Sequence, residues 1–474
     1  MIVDLNSNPL IDFTNNQFDI CIIGSGAAGI TLALKLAKKN LKVALCEGGG
    51  LEYSINSQNS YIGRETGDPY LTLEGSRLRY FGGSTNHWAG WCRPFSGVDF
   101  KRSYLGREFE WPISEQDLNP YLQEACDILE IQNDFDYPQV AHVDIKGVKI
   151  QFSPPVRFAK KYKKELSDSK NIVLFLNSNL FELNGSDNRI HSASFKSFSS
   201  KILTVNAKKF IFAMGGIENS RFLLWFKDKY QDKFFNTTTP IGQYWMEHPH
   251  FTLGQAIVDY RIGKVRFYSL KSNVQIQQKI LGCGFRLDLQ PEGATETMIK
   301  EVSCLAPKLG RQLTSLAEKN LICGVRFRAA WEQAPAVTNK ITLLHDTDYF
   351  GVPRINLNWQ KQAIDRLTLT QSIHIFNNWI LNNNIGRIQL QDWLINNSDY
   401  PINDELAGNH HMGGTRMASD ARYGVVDSNC QVFGSSNLYV AGSSLFTTSG
   451  ANNPTLPIVQ LSLRLAEYLS TSVL

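Results

Sequence analysis

Three glycines, Gly24, Gly26 and Gly29, and the acidic side chain of Glu47 are the first residues whose types and spacing define a chemistry. In Gly24-Ser-Gly26-Ala-Ala-Gly29 the first glycine permits a tight turn, the second lets a pyrophosphate approach the backbone, and the third lets a helix pack closely on a strand. The phosphates would sit on free N–H groups at the helix N-terminus. Glu47 follows Gly29 by 18 residues, close to the spacing at which a carboxylate meets a ribose 2′-hydroxyl. The implied chemistry is the anchoring of a dinucleotide. The competing reading is an ordinary strand-turn-helix with a surface glutamate. A second segment, Arg77 to Trp91, crowds Gly82 and Gly83 together with Ser84, Thr85, His87 and aromatics. Such a mix suits backbone lying against a flat ring system, or else a plain glycine-rich connector.

The elements that must position these residues follow from periodicity. Asp19–Ile23 and Leu41–Cys46 read as buried parallel strands, and 30–39 as the helix between them. Leu51 to Leu73 reads as loop. Ser114 with Asp117 reads as a capped entry to a helix over 115–130, with Pro120 complicating its start, and 131–170 is poorly periodic. Strands follow at Ile172–Leu176, Ile190–Phe195 and Ile202–Val205. Lys209–Ala213 then runs into Met214-Gly215-Gly216 and a helix, a second strand, glycine turn and helix. Between 251 and 404 the pattern is strands and loops, with antiparallel strands at Asn339–Leu343 and Arg354–Trp359 and a helix at Ala363–Leu381. A strand at Leu438–Ala441 and a helix from about Pro457 to Leu469 close the chain. Pro457 suits a first helical turn, whose N-terminus would favour negative charge.

With 474 residues, 43% hydrophobic and 19% charged, the chain can bury two linked cores. A net charge of +4 without a basic run suggests neither nucleic acid nor an anionic membrane. Eight scattered cysteines show no metal or haem spacing, so no metal is expected and a reducing compartment is the simplest inference. No signal peptide is visible. Residues 20–37 are apolar, but three glycines, Ser25, Thr31 and Lys35 argue against a transmembrane segment. The expectation is a cytoplasmic protein.

The motifs also carry a family likeness. Gly24 to Gly29 with Glu47, Phe81-Gly-Gly-Ser-Thr-Asn-His-Trp88, Gly215 to Ser220, Ile241-Gly-Gln-Tyr-Trp-Met-Glu-His-Pro249, Glu332-Gln-Ala-Pro335, His411-Met-Gly-Gly-Thr-Arg-Met417, Asn437 to Ser444 and Asn453-Pro-Thr455 form an ordered set. That set resembles the glucose-methanol-choline (GMC) oxidoreductases, in particular the sugar and polyol dehydrogenase and pyranose oxidase branch. The resemblance implies an α/β fold, α+β overall: a Rossmann-like FAD-binding domain from 1–100, 171–250 and 405–474, and an antiparallel-sheet substrate domain with connecting elements from 101–170 and 251–404. It implies FAD held by Gly24, Gly26, Ala27, Ala28, Gly29, Glu47, Gly48, Gly82, Gly83, Ser84, Thr85, His87, Gly442, Ser443, Pro454 and Thr455. Gly442 stands where many members carry aspartate. A covalent bond from His87 to the flavin is open but not favoured.

Oxidising an alcohol requires a base for the hydroxyl proton while hydride leaves for flavin N5. By resemblance His411 is that base and Asn453 its partner, with His410 structural. A satisfied loop histidine and a helix-capping asparagine are the bland alternatives. Trp331, Trp359 and Tyr349 are candidates to stack on a sugar ring, or else core. The expected activity is oxidation of a CH–OH group of a sugar, glycoside, polyol or related alcohol, with oxygen, a quinone or a redox protein as electron acceptor. A non-redox lyase on the same scaffold with structural FAD is the alternative. A nicotinamide-dependent dehydrogenase would leave the C-terminal motifs without a role, and a purely binding protein would leave His411 and Asn453 unexplained.

Overall fold

The computed structural model describes residues 1–7, 17–137, 140, 142–154, 157–258, 267–288, 325–402 and 408–472, with 298, 302, 306, 308, 309, 312 and 313. In chain order the strands are β1 (Ile2–Asp4), β2 (Gln17–Ile23), β3 (Val43–Cys46), β4 (Arg64–Gly67), β5 (Trp91–Cys92), β6 (Ile145–Gly147), β7 (Gln151–Phe152), β8 (Ile172–Leu176), β9 (Asn179–Ser186), β10 (Arg189–Lys196) and β11 (Ile202–Phe212). They continue with β12 (His250–Val258), β13 (Phe267–Leu270), β14 (Cys283–Asp288), β15 (Val325–Trp331), β16 (Lys340–Thr347), β17 (Pro353–Trp359), β18 (Gly386–Leu390) and β19 (Leu438–Val440). The principal helices are α1 (Ala27–Lys38), α2 (Leu122–Leu129), α3 (Phe158–Asp168), α4 (Gly215–Tyr230), α5 (Ala363–Asn382) and α6 (Thr455–Ser472).

The first sheet has eight strands in the order β1-β8-β3-β2-β11-β10-β9, with β19 on β11. Its β1, β8, β3, β2, β11 and β19 run parallel, and β10 and β9 form the antiparallel margin. The parallel strands are buried on both faces, which explains their unbroken apolar runs at 20–23 and 43–46. Helix α1 lies against α6, and one core joins them to the sheet.

The second sheet has the order β18-β12-β15-β14-β13-β6 and is antiparallel throughout. Its central strands β14 and β15 alternate strictly, so one face packs on α5 and the other is available to a site. A smaller sheet pairs β16 with β17 and adds β4 in parallel.

Several boundaries differ from the periodicity reading. Helix α1 begins at Ala27, because Gly26 already serves as its N-cap. The stretch read as loop contains β4, a short exposed strand whose pairing with β17 no local pattern announces. Pro120 breaks the helix expected over 115–130 into two 3-10 turns ahead of α2, although the Ser114/Asp117 capping box forms. Helix α3 lies inside the poorly periodic stretch, and β11 is continuous where two strands were expected. Within 101–170, α2 and α3 pack into the core of the first sheet, whereas β6 joins the second. The expected substrate segment 251–404 lies partly outside the described residues. Among the described residues no helix is long and apolar enough to cross a membrane.

Candidate active site

Three chain turns at the ends of parallel strands converge on one cavity of about 650 Å³. Strand β2 turns through Gly24 into α1, β11 through Gly215 into α4, and β19 into Gly442. All three glycines take left-handed φ values, 106°, 92° and 106°. No side chain caps the start of α1 or of α4, so their first N–H groups remain available to an anion. A Cβ added at Gly26, Gly215 or Gly442 would meet nothing within 4 Å, and all three residues line the cavity. Bare backbone beside open space at two helix N-termini is the cradle a dinucleotide needs.

The remaining members of the expected set divide by role. Ala27, Ala28, Glu47, Gly48, Ser84, Thr85, His87, Ser443, Pro454 and Thr455 line the cavity with Gly24 and Gly83. Gly29 and Gly82 do not. A Cβ on Gly29 would fall 1.9 Å from the Gly24 carbonyl oxygen, so Gly29 allows the turn to close on its helix. A Cβ on Gly82 would fall 2.8 Å from that of Ala159, so Gly82 makes room for α3 rather than for a ring system. Gly83 backs onto the Gly26 Cα, which binds the second glycine segment to the first. Glu47 accepts hydrogen bonds from Ser25 N at 3.1 Å, Ser25 Oγ at 2.6 Å and Gly49 N at 2.9 Å, tying two loops together as well as lining the cavity. Arg79, to which the sequence reading gave no role, also lines it, held by Ser57 Oγ and Asn179 Oδ1.

The same cavity reaches Asn453, which immediately precedes Pro454 and α6, and the inner face of the second sheet at Gly284 and Ala330. Asn453 does not pair with His411 as expected. Its Nδ2 lies 3.1 Å from Nε2 of His410, and His410 Nδ1 lies 2.8 Å from His248 Nδ1. The His410 backbone N–H donates to both carboxylate oxygens of Glu247, which fixes the main chain at this point. His411 also lines the cavity, but its ring makes different contacts. Its ring lies among Trp245 and Tyr70, its Nε2 has no partner among the described residues, and its carbonyl accepts from Ser443 Oγ at 2.6 Å. The first turn of α4 presses on that carbonyl, since a Cβ on Gly216 would come within 2.1 Å of it. Of the two imidazoles, only that of His410 is in hydrogen-bond contact with Asn453. Nothing in the sequence pair His410-His411 says which of the two it is. Glu247 and His248 lay within a motif the sequence displayed, Ile241 to Pro249, but without a role.

Burial governs the electrostatics. Desolvation, reinforced by His248, His250 and His411, holds the His410 imidazole well below its ordinary pKa. His248 is lowered to about 4 by burial, against the backbone carbonyls of Gly450 and Ser449 that favour its protonated form. His411 is lowered to about 3 by burial and then by Arg77, and His87 is lowered by burial and then by Arg157. All four rings are therefore neutral near pH 7.

The aromatics expected to stack on a sugar do not reach the cavity. Trp331 and Trp359 are fully buried on the core-facing positions of β15 and β17, and Tyr349 is exposed beside Phe198 and Phe350. Trp88, Trp91, Tyr137 and Phe267 line the cavity instead.

Turns, free helix ends and ring-sized cavity define a flavoprotein, and residues 19–60 match the FAD-binding domain family. Residues 335–462 match the GMC oxidoreductase family, and the two matches together identify an FAD-dependent oxidoreductase, with FAD as its cofactor. Among curated proteins it is similar to 2-methyl-1,2-propanediol dehydrogenase of Mycolicibacterium austroafricanum, at 25% identity over 96% of this chain and 95% of the relative. It is also similar to the fructose dehydrogenase large subunit of Gluconobacter japonicus, at 22% identity over 95% and 97%. Among solved structures, pyridoxine 4-oxidase from Mesorbium loti shares the fold with a TM-score of 0.62 at 14% identity, covering 95% of this chain and 99% of that one. A formate oxidase does so at a TM-score of 0.56 and 14% identity, covering 96% and 98%.

Proposed function

We propose that the protein oxidises a CH–OH group of a sugar, glycoside, polyol or related alcohol, with His410 as the base and Asn453 as the second contact to the hydroxyl. The observation that carries this reading is the His410–Asn453 pair at 3.1 Å, at the head of α6 and in the cavity that also contains the dinucleotide cradle. The names of the two curated relatives, one a diol dehydrogenase and one a fructose dehydrogenase, agree with an alcohol or sugar substrate.

Bound FAD supplies the acceptor for the hydride. The chain's own groups do the rest. Gly24, Gly26 and the start of α1 would hold the pyrophosphate end of FAD, Glu47 its ribose, and Gly83 to Thr85, Gly442 and Ser443 the remainder. His410 Nε2, neutral through burial, takes the hydroxyl proton as the carbon gives up hydride. Asn453 orients the oxygen and is itself fixed by the Pro454 entry to α6. The N-terminus of α6, with Pro454, Thr455 and Ile458 lining the cavity, favours negative charge developing beside it. The inner face of the second sheet, with Trp88 and Trp91, would form the substrate chamber.

The test is an anaerobic screen of sugars, glycosides, polyols and simple alcohols, followed by absorbance of the yellow protein. Bleaching by one of them supports the reading. Turnover of a substrate without any bleaching would replace it by lyase chemistry. Admission of air to the bleached protein then separates oxygen from a quinone or redox protein as acceptor. For His87 we propose a non-covalent contact: acid precipitation should leave a colourless pellet and a yellow supernatant, and a yellow pellet would show a bond.

A further inference from the structure

A neutral imidazole carries one N–H, so one ring nitrogen donates and the other accepts. His248 Nε2 lies 2.6 Å from the carbonyl oxygen of Gly450, which can only accept. His248 must therefore carry its proton on Nε2 and present a bare Nδ1. That nitrogen faces His410 Nδ1 at 2.8 Å, so His410 must carry its proton there. His410 Nε2 is left unprotonated, and its lone pair accepts from the Asn453 amide N–H at 3.1 Å. One protonation pattern satisfies all three contacts, and both rings are held neutral by burial.

We propose that His248 is a positioning residue that sets the tautomer of His410, with the Gly450 carbonyl as the fixed end of the chain. The proposal rests on the reading of His410 as the base. Without the acceptor at His248, the His410 proton could sit on either nitrogen, and protonation at Nε2 removes the lone pair that must take the alcohol proton. When His410 becomes imidazolium by gaining that proton at Nε2, its Nδ1–H still donates to His248, so the charged form keeps a partner in a buried site.

The architecture supports this role. Gly450 and Asn453 belong to one short loop, so the groups that hold the two nitrogens of the relay are placed together. Gly450 has a φ of 59°, and a Cβ there would meet Phe95 at 2.8 Å, which confines the position to glycine. Its N–H donates to Glu332 Oε1 at 3.3 Å, and Glu332 is fully buried. On the other side, the backbone N–H groups of His248 and His410 both donate to Glu247, so one carboxylate holds the two histidine main chains in register.

The test uses holoenzyme with 15N-labelled histidine, in which ring shifts report which nitrogen carries hydrogen, together with anaerobic flavin reduction. The expected parental state of His410 is Nδ1–H, read with no substrate present, so it holds or fails independently of which alcohol bleaches the flavin. His248→Leu should give a mixture of His410 tautomers and slow flavin reduction by on the order of 10²-fold, with substrate KM and FAD content little changed. His248→Asn, whose amide oxygen can accept from His410, should retain the Nδ1–H form and most of the rate. The proposal is overturned by an Nε2–H tautomer of His410 in the parent, by a parental rate in His248→Leu, or by equal impairment of the two variants when both retain FAD.

Discussion

The decisive residue-scale feature is the direction of two neighbouring imidazoles. His410 meets Asn453 in the cavity, and His411 is packed among aromatics. Replacing His410 by asparagine should slow anaerobic flavin reduction by about 10²–10⁴-fold, while the same change at His411 should act chiefly on stability. A variant pair with the opposite ranking, measured by stopped-flow absorbance, would return the base to His411. The lowered pKa of His410 gives a second expectation. A histidine whose folded pKa lies below 6.5 stays unprotonated, and so able to accept a proton, as pH falls through 6.5. The flavin reduction rate should therefore hold level through that value and fall only at lower pH. A midpoint at 6.5 or above would show that another group, or a solvated His410, is being titrated.

At the scale of elements, strands deliver bare turns to the cavity and helix ends face it. Gly442 illustrates how strict this is. Its φ of 106° and ψ of −172° belong to a region that side chains avoid, although open space surrounds the position. An aspartate, expected here from the resemblance, would be strained on this backbone. Gly442→Ala should cost about 1–3 kcal/mol and lower the FAD-to-protein absorbance ratio. Unchanged FAD content and thermal midpoint would mean that the turn relaxes freely. Local pattern reveals such turns when a glycine is bracketed by an apolar strand and a helix, as at Gly24 and Gly215. It fails for β4 and α3, because an exposed strand and a lysine-rich helix owe their form to the partners they pack on.

Across the whole molecule, a buried ion cluster ties the segment 99–102 to the second sheet near the site. Arg102, fully buried, pairs with Asp99 at 3.1 Å and Glu332 at 2.5 Å, and donates to Gln275 at 3.1 Å. Glu332 follows β15 of the second sheet and also holds the loop of Gly450 and Asn453. Removing one partner strands the other charges away from water. Arg102→Met should cost about 3–5 kcal/mol in chemical denaturation and reduce FAD retention, because the loop at 450–453 loses its anchor. Denaturation at the parental midpoint would show that the carboxylates simply protonate in its place.

Sequence by itself determined the dinucleotide turn, the parallel strands around it, the antiparallel pair β16 and β17 and the family likeness, because each is written in residues close together in the chain or in an ordered set of motifs. Glycine spacing dictates backbone freedom, and apolar runs dictate burial, wherever the chain later goes. Tertiary structure decided which histidine is brought to Asn453, which glycines face the cavity rather than a neighbouring helix, and which aromatics line it. Those outcomes depend on groups far apart in sequence: His248, His410 and Asn453 meet only because β12 and the start of α6 are packed around one cavity. The glycine turn proposed to anchor FAD is local, and the side chains that would act beside it are assembled by packing.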